Sequence, residues 1–351
     1  MSLGFTCENL NGENLLRIYL ENSDDKIWSK TFGDSSKVRT EISGISQIQN
    51  YCKTNQIENI NNVTHILKDK VRDEKKQNIN PYDNKDFNFR ASFQVEKKIV
   101  NKDILASLST QWSESKKAYR YMNRVELVHD TLPIIYHLSI VKSSKFRKGT
   151  DKFIYEYSVQ KSNVFNNFEV YEFEMELDEK KTEGKNIVEL EGIIKKGIKY
   201  FYSAIQDTNY PISNVEINAV LTEYMNIIHK DKIPERHYKY NKLQIHPSDF
   251  IGYSSYTLQM ENIVPKNEDI EVPNIRNEYT VTEKADGERR LMYVSSKGKC
   301  YFIDTNMNVQ YTGLKVSKDV LFKSILDGEF IKYDKNKNLL LLFACFDIYY
   351  I

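Results

Sequence analysis

The chain has 351 residues, enough for about two domains with sizeable cores. Its 50 lysines and arginines oppose 49 aspartates and glutamates, so the net charge of +1 excludes an overall electric field that would attract RNA or a membrane. The four scattered cysteines argue against a zinc site or a disulfide scaffold, and the lack of a membrane-length apolar run or a signal pattern favours a soluble protein of a reducing compartment.

Regular structure is predicted to begin near residue 38. Residues 1–35 are polar and weakly periodic, and their sequence indicates no function. Residues 38–42 form a short strand-like run, and residues 45–53 follow with apolar side chains at helical spacing. A strand that leads into a helix is therefore expected.

Polar-faced strands are predicted between residues 89 and 177. In residues 89–96 apolar and polar side chains alternate, which is the period of a strand with one apolar and one charged face. The same pattern recurs in three later runs, at residues 119–127, 135–142 and 169–177, and residues 155–159 lead into the last of them. The sequence therefore predicts a domain built mainly of strands.

The last of these strands places Glu172, Glu174 and Glu176 on one face, about 6 to 7 Å apart. Three like charges in a row are unfavourable unless a cation lies over them. A divalent metal is one interpretation, because Mg²⁺ and Mn²⁺ take carboxylate oxygens and could also bind a polyphosphate. A surface strand whose charges block edge pairing is the alternative.

Two helices are predicted after the strands. Residues 187–206 carry a core-facing apolar stripe, and Ser213 with Glu216 forms a capping box that opens a helix through Ile228. Both helices are expected to pack outside the strands, and residues 229–247 are expected to be a linker. The six histidines show no metal-ligand spacing and are interpreted as structural.

A lysine turn follows an alternating run and reads Glu283, Lys284, Ala285, Asp286, Gly287, Glu288, Arg289. A lysine amine that attacks an α-phosphorus must be unprotonated, so its pKa has to be lowered by desolvation and by nearby cations such as Arg289. The guanidinium fork of Arg289 also suits the phosphate of a bound nucleotide, and Gly287 lets the backbone turn close to it. An exposed hairpin with an Asp-Gly turn is the alternative.

Two later runs favour the nucleotide interpretation. Asp327-Gly328-Glu329 and Phe346-Asp347 follow the lysine in an order and spacing that resemble the covalent nucleotidyltransferases, the superfamily of capping guanylyltransferases and of DNA and RNA ligases. Upstream, Phe250-Ile251-Gly252 and Thr257-Leu258 resemble the capping branch, which implies GTP. The resemblance implies Lys284 as the nucleophile. It also implies five nucleotide-binding residues: Glu283, Asp286, Arg289, Glu329 and Phe346.

The region before the lysine turn resembles the triphosphate tunnel metalloenzymes, because its polar-faced strands end in Glu-x-Glu-x-Glu. The whole order is similar to the multidomain mRNA capping enzymes of large nucleocytoplasmic DNA viruses, of the mimivirus type. In that family the tunnel removes the γ-phosphate of nascent RNA, and the next domain caps the RNA.

The resemblance implies a set of residues for the tunnel. Glu172, Glu174 and Glu176 match the family's metal-binding strand and would be catalytic, with Mg²⁺ or Mn²⁺ as the metal. The first strand departs from the family's Glu-x-Glu, because it reads Arg39-Thr40-Glu41 and leaves Glu41 as the single further metal ligand. Four residues match the basic positions that would bind the triphosphate: Arg90, Arg120, Arg124 and Lys142.

The expected fold is α+β. An antiparallel β-barrel, the triphosphate tunnel, is expected at residues 1–232 with flanking helices, and a partial, ATP-grasp-like nucleotidyltransferase domain at residues 233–351. Because the family continues past the segment that ends at Ile351, the second domain is expected to be incomplete, with further capping domains C-terminal to it.

The expected function is mRNA capping in the cytoplasm, either the host cytoplasm or a viral factory. It comprises γ-phosphate removal from 5′-triphosphate RNA and GTP-dependent guanylylation through a lysyl-GMP intermediate. Two alternatives stay open. One is an RNA ligase-type nucleotidyltransferase fused to a polyphosphatase-like barrel, and the other is a catalytically inert module that binds RNA or a partner.

Overall fold

The computed structural model describes residues 5–7, 12–21, 35–75, 77–240, 242–253, 257–265, 272–279, 284 and 286–351. The chain divides into two compact units. The first comprises Met1–Lys85 and Phe89–Tyr200, and the second comprises Asp86–Asn88 and Phe201–Ile351.

The first unit is built on a curled, eight-stranded antiparallel sheet that forms a half-barrel. The strands of this unit are β1 (Phe5–Cys7), β2 (Glu13–Glu21), β3 (Ser35–Ser43), β4 (Val63–Lys70), β5 (Tyr82–Asn84), β6 (Phe89–Ala91), β7 (Gln94–Lys98), β8 (Lys117–His129), β9 (Ile134–Ser143) and β10 (Glu169–Leu177). The sheet order is β10-β9-β8-β2-β3-β4-β7, with β1 paired to the end of β8. The short strands β5 and β6 pair only with each other within the described chain.

The path of strands is open within the described residues, with β7 and β10 at its two edges. The mixed α and β content and the antiparallel sheet agree with the expected fold class. The closed tunnel, by contrast, is not part of the described structure.

One face of the sheet is apolar and is covered by helices. The helices that lie wholly in this unit are α1 (Ile45–Thr54), α2 (Lys102–Thr110), α3 (Val159–Ser162) and α4 (Glu179–Thr182). Leu16 and Ile18 of β2 alternate with outward residues, so both reach a core that also contains Tyr51 of α1 and Trp112 after α2. The other face carries charged side chains together with a small buried apolar cluster of Leu15, Met122 and Val141.

Several predicted elements of this unit are confirmed, and two are wrong. The predicted helix at residues 45–53 is α1, and the predicted glutamate strand is β10, Glu169–Leu177. Residues 89–96 form two strands, β6 and the start of β7, that pair with different partners, rather than one strand. Residues 155–159 form no strand, because Val159 begins α3.

The second unit contains a five-stranded antiparallel sheet of order β15-β14-β13-β16-β17. Its strands are β11 (Tyr238–Lys239), β12 (Lys242–Leu243), β13 (Glu288–Val294), β14 (Lys299–Asp304), β15 (Val309–Lys315), β16 (Ile325–Tyr333) and β17 (Leu339–Tyr350). The short pair β11 and β12 is separate from this sheet. Within the described part of this unit, single-turn 3₁₀ helices occur at Glu235–His237, Pro247–Asp249, Met260–Asn262 and Asp319–Leu321, and the first unit has one at Val164–Asn166.

The two predicted helices are present as α5 (Ile187–Ile205) and α6 (Asn214–Ile228). Ile193 of α5 packs against the first sheet, as expected. In contrast, α6 places Leu221 and Tyr224 in one core with Leu291 of β13, so it covers the second sheet and the expectation for this helix is wrong.

The predicted capping box is only half formed. The hydroxyl of Ser213 accepts a hydrogen bond from the Glu216 amide at 3.2 Å, as an N-cap should. The carboxylate of Glu216 instead accepts from Lys299 and Tyr301, both at 2.7 Å, and ties α6 to β14. Among the described residues, no helix is both long and apolar enough to span a bilayer.

Replacing Leu16 with alanine should destabilise the first unit, because this side chain is fully buried in the core under α1. We expect Leu16→Ala to lower the free energy of unfolding by about 2 to 5 kcal/mol, from lost burial and the cavity left behind. Urea denaturation followed by tryptophan fluorescence measures this, since Trp112 lies in the same core.

The matched control is Leu138→Ala on β9, because that leucine is 40% exposed. It should cost less than about 1 kcal/mol. Equal losses for the two variants would contradict the burial of Leu16 in the core under α1.

Candidate functional site

The uncovered face of the first sheet gathers charged side chains from neighbouring strands. Because side chains alternate along a strand, the strand registers place one set on the face opposite Leu16 and Ile18. We call this surface the charged face. Its central members are Arg17, Arg39, Glu41, Arg120, Arg124, Glu172, Glu174 and Glu176.

The row of glutamates on β10 lies beside cations from the adjacent strands. Arg120 of β8 contacts both carboxylate oxygens of Glu172, at 2.6 and 2.5 Å. Arg124 donates to Oε2 of Glu174 at 2.9 Å. Glu176 has the ring nitrogen Nδ1 of His137 3.8 Å from its Oε1. Pairing with arginines therefore explains how Glu172 and Glu174 share one strand face, and Glu176 beside them is 58% exposed to water.

Glu41 lies on the same charged face, on β3. Its Oε1 accepts from Nε of Arg17 at 2.5 Å and lies 3.0 Å from Nε of Arg39. A guanidinium nitrogen of Arg39 also donates to Glu96 at 2.8 Å. The structure thus brings the single glutamate of the predicted first strand to the face that carries the β10 row.

The arginines of the charged face lie close enough to affect one another. Burial lowers the pKa of Arg124, and repulsion from Arg17 lowers it further, while Glu174, Glu176 and Glu41 oppose the shift. Both arginine side chains are about nine-tenths buried, with 12% of Arg124 and 10% of Arg17 exposed. A bound polyanion would relieve this repulsion, because its oxygens accept from several guanidinium groups at once.

Two predicted phosphate-binding residues lie elsewhere in the first unit. Lys142 lies on the helix-covered face of β9, where its amine donates to the Phe165 carbonyl at 3.0 Å. Arg90 lies on β6, outside the curled sheet, and pairs with Asp83 at 2.6 Å. Lys142 therefore differs from Arg120 and Arg124 in the face it occupies, and Arg90 differs in its sheet.

Arg17, Arg39 and His137 of the charged face were not predicted as site residues. Arg17 comes from β2, in the segment that showed only weak periodicity, where its polar position is hidden among leucines and isoleucine. His137 of β9 was interpreted as structural, yet it lies directly opposite Glu174. The polar positions 137 and 139 alternate with apolar ones, which is the signal that marks both as members of the uncovered face.

In the second unit, the lysine turn immediately precedes β13. Lys284 and Asp286 are exposed, and Glu283 lies outside the described residues. At Gly287 a Cβ atom would lie 2.8 Å from the backbone oxygen of Phe330. Only glycine therefore lets the chain pass this close to β16 without a shift of the backbone.

Arg289 is fixed by a buried carboxylate of the neighbouring strand. Its Nε and Nη2 donate to the two oxygens of Asp327, at 3.2 and 2.6 Å, and the Asp327 side chain is fully buried. The hydrogen bonding of Arg289 to the Asp327 carboxylate, which accepts from it, raises the pKa of Arg289. The hydroxyl of Tyr349 on β17 also donates to Asp327, at 2.6 Å, and burial with this hydrogen bond raises the pKa of Tyr349 to about 12.

The segment that includes Phe250 and Gly252 lies against the same arginine. The guanidinium carbon of Arg289 lies 5.5 Å from the centre of the Phe250 ring, and Nη1 donates to the Tyr253 carbonyl at 2.7 Å. Gly252 has φ of +130°, and a Cβ there would lie 2.4 Å from Nη2 of Arg289. Residues about 30 positions before the lysine turn thus shape the arginine site.

The other predicted nucleotide-binding residues lie on the same sheet. Glu329 of β16 is directly opposite Arg289 of β13, and its buried Oε2 has no hydrogen-bond partner among the described residues. Phe346 of β17 is 60% exposed. This carboxylate oxygen of Glu329 can therefore accept a hydrogen bond from a hydroxyl group of a ligand.

Two comparisons with known proteins show what the chain is similar to. Residues 227–351 match the family model of the mRNA capping enzyme, catalytic domain. The chain is also 27% identical over 147 residues to the probable mRNA-capping enzyme of Acanthamoeba polyphaga mimivirus. That alignment covers 42% of this chain and 10% of the relative, so the matched part spans about a tenth of the relative's length. These matches confirm that the chain is similar to the viral-type mRNA capping enzymes.

Proposed function

We propose that the chain contributes two successive reactions of mRNA capping. The first unit would hydrolyse the γ-phosphate of 5′-triphosphate RNA, and the second would contribute the lysine that accepts GMP from GTP. The match of residues 227–351 to the capping catalytic domain supports the second reaction. The observation that carries the first is the charged face, where a row of glutamates meets buried arginines.

The charged face suits a metal-bound triphosphate because it carries cationic groups for the phosphates and carboxylates for the metal ion. Arg17, Arg120 and Arg124 present guanidinium groups, which match phosphate oxygens in charge and in planar geometry. Glu172, Glu174 and Glu176, with Glu41 on β3, present carboxylate oxygens of the kind that Mg²⁺ and Mn²⁺ take as ligands. In the structure, the arginines and the glutamates form ion pairs with each other. A bound metal–triphosphate would replace these pairs, with the arginines contacting phosphate oxygens and the glutamates contacting the metal ion.

In the proposed hydrolysis, a water oxygen attacks the γ-phosphorus and the bond from that phosphorus to the β–γ bridging oxygen breaks. The products are inorganic phosphate and a 5′-diphosphate RNA end, with one proton released. Arginine side chains stabilise the charge that develops on the phosphate oxygens. A glutamate of the row accepts a hydrogen bond from the attacking water and orients it. A divalent ion, when bound, would neutralise the γ-phosphate oxygens.

In the second unit, the proposed step is attack of the Lys284 amine on the α-phosphorus of GTP. The N–P bond forms, the bond to the α–β bridging oxygen breaks, pyrophosphate leaves, and the amine gives up a proton. Arg289, five residues after the lysine, is held in place by Asp327 and would offer its remaining donor capacity to the nucleotide phosphate. Glu329 would bind a ribose or base donor of the nucleotide through its unpaired oxygen.

The charged face generates a direct test at Glu174. We expect Glu174→Gln to lower the rate of γ-phosphate release by about 10²-fold or more, because one carboxylate of the metal-binding row becomes neutral while the shape of the side chain is kept. The assay measures ³²P release from RNA labelled at the γ-phosphate, with Mg²⁺ or Mn²⁺.

The matched control is Glu169→Gln, the same change on the same strand but on the helix-covered face. It should leave the rate within about twofold of the wild-type rate. If both variants release phosphate as fast as the wild type, the row has no role in hydrolysis.

The second unit generates a test at Lys284. In the protein at its natural length, Lys284→Ala should remove the covalent label left by [α-³²P]GTP, because no other side chain takes the place of the attacking amine. Release of γ-phosphate from RNA should be unchanged, since Glu174 and its row lie in the first unit.

Lys335→Ala provides the control, because Lys335 is an exposed lysine of the same unit. Its labelling should match that of the wild type. A label that persists in Lys284→Ala would assign the nucleophile to another residue, and a label from ATP in preference to GTP would favour a ligase-type reaction.

A further inference from the structure

We propose that His137 supplies a nitrogen ligand to a divalent metal bound with Glu174 and Glu176, so that the site selects Mn²⁺ or Co²⁺ over Mg²⁺. The use of this metal rests on the proposed triphosphatase activity, whereas its binding can be measured without catalysis. The site lies at the end of the glutamate row next to β9.

The three side chains converge at one point of the charged face. One ring nitrogen of His137 and one carboxylate oxygen from each of Glu174 and Glu176 lie within 4.8 Å of one another. His137 is directly opposite Glu174 in the pairing of β9 with β10, and its Nδ1 lies 3.8 Å from Oε1 of Glu176. This separation is too long for a hydrogen bond and leaves room for an ion that contacts both atoms.

The burial of His137 separates this cluster from an ordinary group of surface carboxylates. Only 9% of its side chain is exposed, and its Nδ1 is buried without a hydrogen-bond partner among the described residues. A buried ring nitrogen without a partner is costly, because it has lost water and gained nothing in exchange. A metal ion that shares it with two carboxylates would remove this cost.

Metal binding through Nδ1 requires that the neutral ring of His137 carry its proton on the other nitrogen, Nε2. Nε2 of His137 lies 3.2 Å from Oε2 of Glu126 on the adjacent strand β8. A carboxylate oxygen accepts hydrogen bonds, so this contact places a ring N–H at Nε2, and in the neutral imidazole the lone pair is then on Nδ1. Carboxylate support of this kind orients metal-binding histidines and raises their basicity.

A comparison with Glu172 shows why the metal site lies at the Glu174 and Glu176 end of the glutamate row. Both oxygens of Glu172 are bound by Arg120, whereas Glu176 is 58% exposed and has His137 beside it. Arg124 contacts one oxygen of Glu174, at 2.9 Å. The position at Glu174 and Glu176 therefore leaves more oxygen atoms for an ion than the position at Glu172.

The ligand chemistry then indicates which metals are preferred. Mg²⁺ takes oxygen ligands almost entirely and keeps several waters, whereas imidazole nitrogen suits transition metals. Affinity for a site with nitrogen and oxygen ligands rises from Mn²⁺ to Co²⁺ in the divalent series. A carboxylate-only site would lack this nitrogen contribution.

The test measures the metal bound to the intact chain. Mn²⁺ is titrated by isothermal calorimetry, and pulsed electron paramagnetic resonance detects ¹⁴N coupling to the bound ion. The wild-type chain should show ¹⁴N coupling, and His137→Gln should lose it and bind Mn²⁺ at least about tenfold more weakly. His65→Gln is the control, because His65 lies on the opposite face of β4, where its Nδ1 bonds Thr40 at 2.8 Å.

A second variant keeps the test decisive if His137→Gln does not fold. Glu126→Gln keeps the imidazole but removes its carboxylate partner, and it should weaken Mn²⁺ binding by about 10 to 100-fold. Wild-type binding without ¹⁴N coupling, or ¹⁴N coupling that survives in His137→Gln, overturns the inference. Nitrogen coupling without γ-phosphate release would instead overturn the proposed hydrolysis and leave the metal site standing.

Discussion

Pairing between arginines and glutamates across the charged face is the interaction on which the first unit depends. Arg17 and Arg124 are about nine-tenths buried, and a buried charge is stable only when an opposite charge and hydrogen bonds compensate for the lost water. Glu41 and Glu174 provide that compensation. The same residues would bind a metal–triphosphate, so the pairs that stabilise the sheet are also the groups that the proposed reaction needs.

This constraint explains what the sequence could predict in the first unit and what it could not. The glutamate strand was predicted with its observed bounds, Glu169–Leu177. Alternation of acidic and apolar side chains has a period of two residues, which is the period of a strand. Arg17 escaped prediction because it lies in a mostly apolar run, Leu15 to Leu20, in which burial on both faces hides the alternation. Lys142 lies on the other face from Arg120 and Arg124, because a difference of one position along a strand moves a side chain to the opposite face.

The second unit shows a different limit. The lysine turn and the two later runs could be recognised because their residue types and order are specific. The partners that hold Arg289 could not, since Asp327, Tyr349 and Gly252 are brought to it by strand pairing and by a segment distant in the sequence. Contacts of this kind depend on tertiary structure. They make the arginine a fixed charge rather than a flexible surface group.

We propose that a metal ion and a triphosphate replace the ion pairs of the charged face when they bind. A crystal structure of the chain with Mn²⁺ and tripolyphosphate, collected at the manganese absorption edge, tests this most directly. We expect an anomalous peak that marks a manganese ion coordinated by Glu174 and Glu176. Phosphate oxygens should contact Arg120 and Arg124 in place of the carboxylates that pair with these arginines now. Tripolyphosphate bound elsewhere, with the ion pairs of this face intact and no anomalous peak beside them, would contradict it.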